Sequence, residues 1–365
     1  MNPHRSRCKS AATSNVEAPQ ILEGDLQRLG FDSRELEFPF HDEVRPGESG
    51  QGYALRMATE NHLNGLPQLK AWLGKSRFAT LDAADAPLLH RWFGAEQRAL
   101  ERALGWTHTG QNSEGYVYAG HALGRSYFLN RSYPRVCFAC LQSTGHCSSA
   151  WDFNLTVACA KHEAALSDTC QNCTRSISWN RPAPRTCNCY LEFAPEDESA
   201  SATPLELQFA EWIEYHTRAP SMGGGPAPSK SSTHRTPAPS APLMQLVWPL
   251  SLNGGLHVTY ALATAAGYEG SLPSTEPRVR TPLRKAKQIL VKANELAHRI
   301  SQLQELQLRV RRPVVVIQLL ADCISGGAPS ADRHLAQSLL ATVLHQKRKA
   351  RWSGISPQLS QLSLF

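Results

Sequence analysis

The chain has 365 residues, long enough for two or three domains with real cores, and a net charge of +7. Its opening, MNPHRSRCKSAATSN, is basic with no apolar run behind it, unlike a signal peptide, and PVVVIQLLADCI is too short to span a bilayer and carries an acid. The expectation is a protein without a membrane span in a reducing cytosol, where clustered thiols favour metal over disulfides. Charge is uneven: from Met244 to Phe365, fifteen Lys/Arg face six Asp/Glu, an excess of nine that leaves the rest at about −2. A basic C-terminal third suits a polyanionic partner or an ordinary solvated surface, and charge alone does not choose between them.

Residues 1–35 are polar and aperiodic and read as a disordered arm. In the part assigned to 36–126, residues 48–63 read as a helix stopped by Asn64-Gly65 and Pro67, and residues 67–73 as a second one ending at Gly74. DAPLLHRWFGAEQRALERAL supplies one or two more, with Leu100 and Leu104 a turn apart. Short helices with short connections make this part helix-turn-helix-like, though any small packing module is built from the same material.

From Tyr127 the period changes. Trp151, Phe153, Leu155, Val157 and Cys159 share one parity, which predicts a strand whose inward face ends in a thiol. SISWNRPAPRT reads as strand and turn, and a helix over 204–216, with Leu207, Ala210, Trp212 and Ile213 as its stripe, closes a module spanning 127–216. Residues 217–242 are rich in Gly, Pro and Ser and read as a flexible linker.

Beyond it, 243–365 reads as a basic helical region. Thr281 as cap and Pro282 at the first position open a long helix whose apolar face is Leu283, Leu290, Ala293, Ala297 and Ile300. Lys285, Lys292 and Arg299 recur every seven residues on its other side. Arg312-Pro313 opens another helix, stopped at Gly326-Gly327, and Ser330 caps a last one that runs to KRKAR. The lysine–arginine stripe, with Arg311, Arg312 and KRKAR, is a candidate phosphate contact; Glu295, one turn after Lys292, supports the plainer reading of a solvated face.

Eight of the ten cysteines fall between Cys137 and Cys189. Cys137-x2-Cys140, Cys159-x2-His162, Cys170-x2-Cys173 and Cys187-x-Cys189 form four knuckles, each able to turn two ligands toward one ion. Pairing neighbours gives one site from Cys137, Cys140, Cys159 and His162, and another from Cys170, Cys173, Cys187 and Cys189. Soft thiolates with one imidazole suit zinc or an iron–sulfur cluster; the ligand order and the embedded His favour zinc, and full protein shells make both ions structural rather than catalytic. His146 and Cys147 lie off the pair spacing and read as loop residues, while Cys8 and Cys323 are lone thiols. Arg175, Arg181 and Arg185 cluster in the second ribbon's hairpin, as a solvated loop or as phosphate contacts.

These residues resemble a known family. YPRVCFACL, Trp151, VACAKHEAALSDTCQNC and the final CNC are similar to the zinc-binding core of the TniQ/TnsD proteins, target-selection subunits of bacterial transposons. RPGESGQGYALRMATENHLNG resembles that family's N-terminal signature, with Arg56 and Asn61 or Asn64 as its Arg and Asn. The likeness covers roughly residues 44–193 and departs at Tyr190, where the family usually has Gly, and in the length of the linker. It implies a mainly α protein with small β zinc ribbons: an N-terminal helical part, two tandem zinc ribbons and a C-terminal helical region. It further implies an adaptor, not an enzyme, in the bacterial cytoplasm at the nucleoid. Its partners would be target DNA or an RNA-guided targeting complex, an AAA+ ATPase and a transposase, with no membrane and with homodimerisation allowed.

The ligand order is also that of a RING finger, in which the first pair shares an ion with the third. Seven residues between His162 and Cys170 are long for that cross-brace, and Cys187-x-Cys189 is a residue short. No P-loop occurs, which disfavours an ATPase, and a zinc-dependent transcription regulator is the alternative with shared DNA binding.

Overall fold

A computed structural model describes residues 37–109, 114–194, 201–218, 239–268, 281–302, 310–324 and 328–352. The arm expected over 1–35 and most of the expected linker, 219–238, lie outside these. Helices take up 53% of the described residues, which sets the class as mainly α with small antiparallel sheets.

Four short helices come first: α1 (Gly50–Glu60), α2 (Gly65–Trp72), α3 (Ala86–Phe93) and α4 (Gln97–Leu104). Each stops where the sequence breaks the pattern. Gly94 takes a left-handed φ of 80° after α3, and Gly105 takes 70° after α4. Every residue of α1 from Gly50 to Ala58 is buried, so α1 is the hub of this part and offers no face to a groove. Gly52 permits that burial, since a Cβ there would stand 2.8 Å from Cys147 Cβ.

An antiparallel sheet follows in the order β1 (Trp106–Thr109), β2 (Glu114–Tyr118) and β3 (His121–Leu123), with Trp106 opposite Val117 and Tyr116 opposite Leu123. Then come α5 (Phe138–Thr144), the two-residue strands β4 (Ala158–Cys159) and β5 (Ala164–Ala165), and α6 (Pro204–Arg218). Of the strand expected over 151–159 only its end, Ala158–Cys159, forms as β4. Ser149–Asp152 is a 3-10 turn, and the residues from Trp151 to Cys159 are all buried, on both parities. The backbone there is shared between a short bridge to the 128–130 segment, with Phe153 opposite Leu129 and the Asn154 amide donating to the Phe128 carbonyl, and a buried side chain. Arg135 donates through Nη1 to the carbonyls of Phe153 (3.3 Å), Asn154 (2.7 Å) and Thr156 (2.7 Å).

α6 runs two residues past its expected end, into the stretch read as linker, and Phe209 rather than Leu207 lies in its buried stripe. The C-terminal helices are α7 (Pro242–Val247), α8 (Leu252–Ala265), α9 (Leu283–Gln302), α10 (Pro313–Ile324) and α11 (Ser330–Trp352). They share one hydrophobic core with the sheet and the cysteine-rich module: Tyr116, Phe128, Phe153 and Val157 belong to the same buried cluster as Trp212, Leu256, Leu290 and Leu320. Polar ties cross the same boundary. Arg135 Nη2 donates to the Thr281 carbonyl (2.9 Å), and Arg125 pairs with Asp322. The N-terminus of α9 is capped from a distance, by Asp168 accepting from the Leu283 amide at 2.9 Å.

Candidate metal centres

The first site lies between a helix start and a tight hairpin. Cys137 precedes α5 and Cys140 sits in its first turn, where the Leu141 amide donates to the Cys137 carbonyl. Cys159 ends β4, opposite Ala164, and His162 occupies the turn to β5. His162 Nδ1 lies 3.4, 3.2 and 3.7 Å from the sulfurs of Cys137, Cys140 and Cys159, and Cys140 Sγ is 3.6 Å from Cys159 Sγ. The imidazole therefore offers Nδ1, not Nε2, to the centre.

The second site is built from two turns. Cys170 Sγ is 3.9 Å from Cys189 Sγ, and Cys173 Sγ is 3.8 Å from Cys187 Sγ. In both clusters the four donor atoms lie within 4.8 Å of one another. A tetrahedral ion with thiolates at about 2.3 Å needs sulfurs about 3.8 Å apart, so both sets fit such an ion. The grouping is sequential, with none of the interleaving that a RING finger needs.

Three of the four knuckles close on a left-handed residue directly after the second ligand: Glu163 (φ 52°), Thr174 (φ 58°) and Tyr190 (φ 63°). In the second site this turns the amides of Thr174 and Tyr190 back onto the carbonyls of Cys170 and Cys187, both at 2.9 Å. That conformation costs a residue with a Cβ about 1–2 kcal/mol, which is why glycine suits the position.

As bare thiols the sulfurs compete for protons. Hydrogen bonds from Cys140 and Cys159 push the Cys137 thiol down to about 2. Donating to Cys137 pushes Cys140 up, and Cys159 up to about 12. A divalent cation replaces the shared protons and lets all three sulfurs be anionic together. In the second site burial pushes Cys187 up to about 12, while the Arg175 guanidinium, hydrogen-bonded to Cys173, pulls that thiol down to about 6.

His146 and Cys147 lie outside both clusters. Cys147 is buried, with the Arg181 guanidinium donating to its sulfur at 3.6 Å. Arg181 corrects an expectation. It is 1% exposed, donates to the Ser178 carbonyl and covers the Trp179 ring, so it is a packing residue and meets no phosphate. Arg185 is exposed but its Nε donates to the Leu141 carbonyl, and the exposed Arg175 serves Cys173. On α9, Lys285 and Arg299 are exposed, whereas Lys292 pairs with Glu295 at 2.7 Å. Arg311 and Arg312 are exposed just before α10.

The TniQ family profile matches residues 39–166. That span is a TniQ-family domain. No curated protein matches the chain. The TniQ match takes in the first metal cluster and stops before the second, which the likeness of motifs had extended to residue 193.

The TniQ signature near the N-terminus works as a clasp. Arg56, 3% exposed, holds Glu48 through Nε and Nη2 (both 2.9 Å) and reaches Asp42 through Nη1 (2.5 Å). Ser49 Oγ donates to the buried Asp152 at 2.6 Å, and its amide donates to the Cys147 carbonyl at 2.8 Å. Asn61, not Asn64, is the anchoring amide: it accepts from the Phe40 amide and donates to the Phe40 and Met57 carbonyls. Sequence spacing marked the metal ligands, but nothing local marked Asp152 or Arg135, whose partners are distant in the chain. Among the described residues no helix is long and apolar enough to cross a membrane.

Proposed function

We propose that this protein is a zinc-stabilised, DNA-associated adaptor of transposition, which selects a target and recruits an AAA+ ATPase and a transposase to it. The observation that carries the reading is a TniQ match whose Cys137, Cys140, Cys159 and His162 gather into one four-donor cluster, with a second, all-cysteine cluster directly after it. Cys137, Cys140, Cys159 and His162 would hold one zinc ion, and Cys170, Cys173, Cys187 and Cys189 the other. With four protein donors each, neither ion has a position for water or substrate, so the metal cross-links chain segments. Lys285, Arg299, Arg311 and Arg312 supply exposed positive charge for phosphates, with Lys292 shared with Glu295.

The test is recovery of the tagged full chain from its own cells at low salt, with its partners identified by mass spectrometry. The expected result is co-recovery of an AAA+ ATPase and a transposase, and no hydrolysis of ATP or DNA by the purified chain alone. Metal-dependent DNA cleavage by the purified chain, abolished by one carboxylate substitution, would overturn the adaptor reading. Recovery with RNA polymerase and without transposition proteins would favour a transcription regulator instead.

A further inference from the structure

The second metal cluster follows the TniQ span, and the stretch between Cys173 and Cys187 reaches back to that span through consecutive residues. Asn180 Oδ1 accepts from the buried Lys70 Nζ at 2.8 Å, and Asn180 Nδ2 donates to the Arg77 carbonyl at 2.6 Å. Arg181 donates to Cys147 Sγ at 3.6 Å. Its carbonyl lies so close to the start of α2 that a Cβ on Gly65 would stand 2.1 Å from it. Both residues therefore touch the TniQ span directly. Trp179, beside them, is 2% exposed, yet its indole Nε1 has no hydrogen-bond partner among the described residues.

Trp179 lines a cavity of about 10 Å³ together with Ser49, Gln51, Tyr118, Arg131 and Asp152. Two of these side chains carry an unpaired atom of their own. Asp152, 6% exposed, accepts through Oδ2 from Ser49 Oγ at 2.6 Å and from the Tyr118 hydroxyl, and Oδ1 is left over. Gln51, 7% exposed, donates through Nε2 to the Leu81 carbonyl at 2.8 Å, and Oε1 is left over. Buried polar atoms are costly without partners, and three around one small cavity point to a shared one.

The chemistry of the three atoms restricts what that partner can be. Asp152 Oδ1 and Gln51 Oε1 only accept, and Trp179 Nε1 only donates. Burial pushes the Asp152 pKa up to about 6, so at neutral pH the carboxylate is charged and needs a donor. A bare cation offers the indole N–H no acceptor, and an anion is repelled by the carboxylate. Water donates twice and accepts, and a polar cavity of this volume holds one molecule.

We propose that one water molecule occupies this cavity, donating to Asp152 Oδ1 and Gln51 Oε1 and accepting from Trp179 Nε1. It completes the joint by which the second metal cluster docks on the TniQ span, as the third contact beside those of Asn180 and Arg181. The inference concerns how that cluster is attached and stands apart from the DNA-associated reading.

The test is a crystal structure of the full metal-loaded chain at a resolution that shows ordered water. Urea unfolding of Trp179→Phe, Gln51→Met and the double variant accompanies it. The expected density is a single peak at about 2.7–3.2 Å from all three atoms. Because either substitution unseats the same water, the double variant is expected to raise the unfolding constant about fivefold less than the product of the two single effects. A cavity without density, or a direct hydrogen bond between any two of the three atoms, would overturn the proposal. So would a peak at about 2.4 Å from both oxygens, the distance of a metal cation, and so would single effects that simply multiply. The density decides even where a variant does not fold.

Discussion

Tyr190 sits in the turn that closes the second metal cluster, with φ at 63° and 74% of its surface exposed. A left-handed tyrosine carries a steric cost that glycine does not, and so exposed a ring returns little packing energy. Tyr190→Gly is therefore expected to raise the stability of the metal-loaded protein by up to about 1 kcal/mol, read as a higher midpoint in urea unfolding. A lower midpoint would mean that the ring makes contacts that its exposure hides. The position shows what a single sequence displays at this scale. Ligand spacing is local, so seven cysteines and His162 were readable, and the missing glycine after Cys189 was noticeable. The burial of Arg181 was not, because its partner Cys147 lies 34 residues away.

At the scale of elements, α8 carries a histidine with no polar company. His257 is fully buried, its ring centroid lies 4.9 Å from that of Phe128, and neither ring nitrogen has a hydrogen-bond partner. Burial, and then the Arg125 charge, push its pKa down to about 3; burial pushes His216 on α6 down to about 4. The unfolded chain binds these protons near pH 6.5 and the folded chain does not, so stability is complete above 6.5 and declines as pH falls toward 3. For His257 alone the loss from pH 7.5 to pH 5.0 is about 2 kcal/mol. His257→Leu should flatten part of that slope in urea midpoints taken at the two pH values, with zinc content checked at each. An unchanged slope would mean that His257 is protonated in the fold. The helices themselves were legible from apolar period and from Gly and Pro stops. Over 151–159 only the end forms a strand, for a physical reason: alternation marks a half-buried strand, whereas here a guanidinium holds the carbonyls of Asn154 and Thr156 and both faces are buried.

Over the whole molecule, the Gly/Pro/Ser stretch suggested a C-terminal region apart from the rest, yet the helices beyond it complete the core of the TniQ module. No local pattern announces a contact such as that between Asp168 and the amide of Leu283, 115 residues on. A chain ending at Arg218 would expose Phe209, Trp212 and Phe153 from that shared core. Each large apolar side chain so exposed costs about 1.5–3 kcal/mol. The truncated chain is expected to aggregate or to lack a cooperative transition; a soluble fragment as stable as the full chain would refute the shared core. The central claim is that two separate closed shells each hold one structural zinc. Metal analysis by mass spectrometry of the purified full chain and of two variants tests it directly. Two zinc ions are expected per wild-type chain, one after Cys159→Ala, and one after Cys187→Ala, each variant retaining the ion of the other cluster. A wild-type content of one, or the loss of both ions from either single substitution, would contradict it.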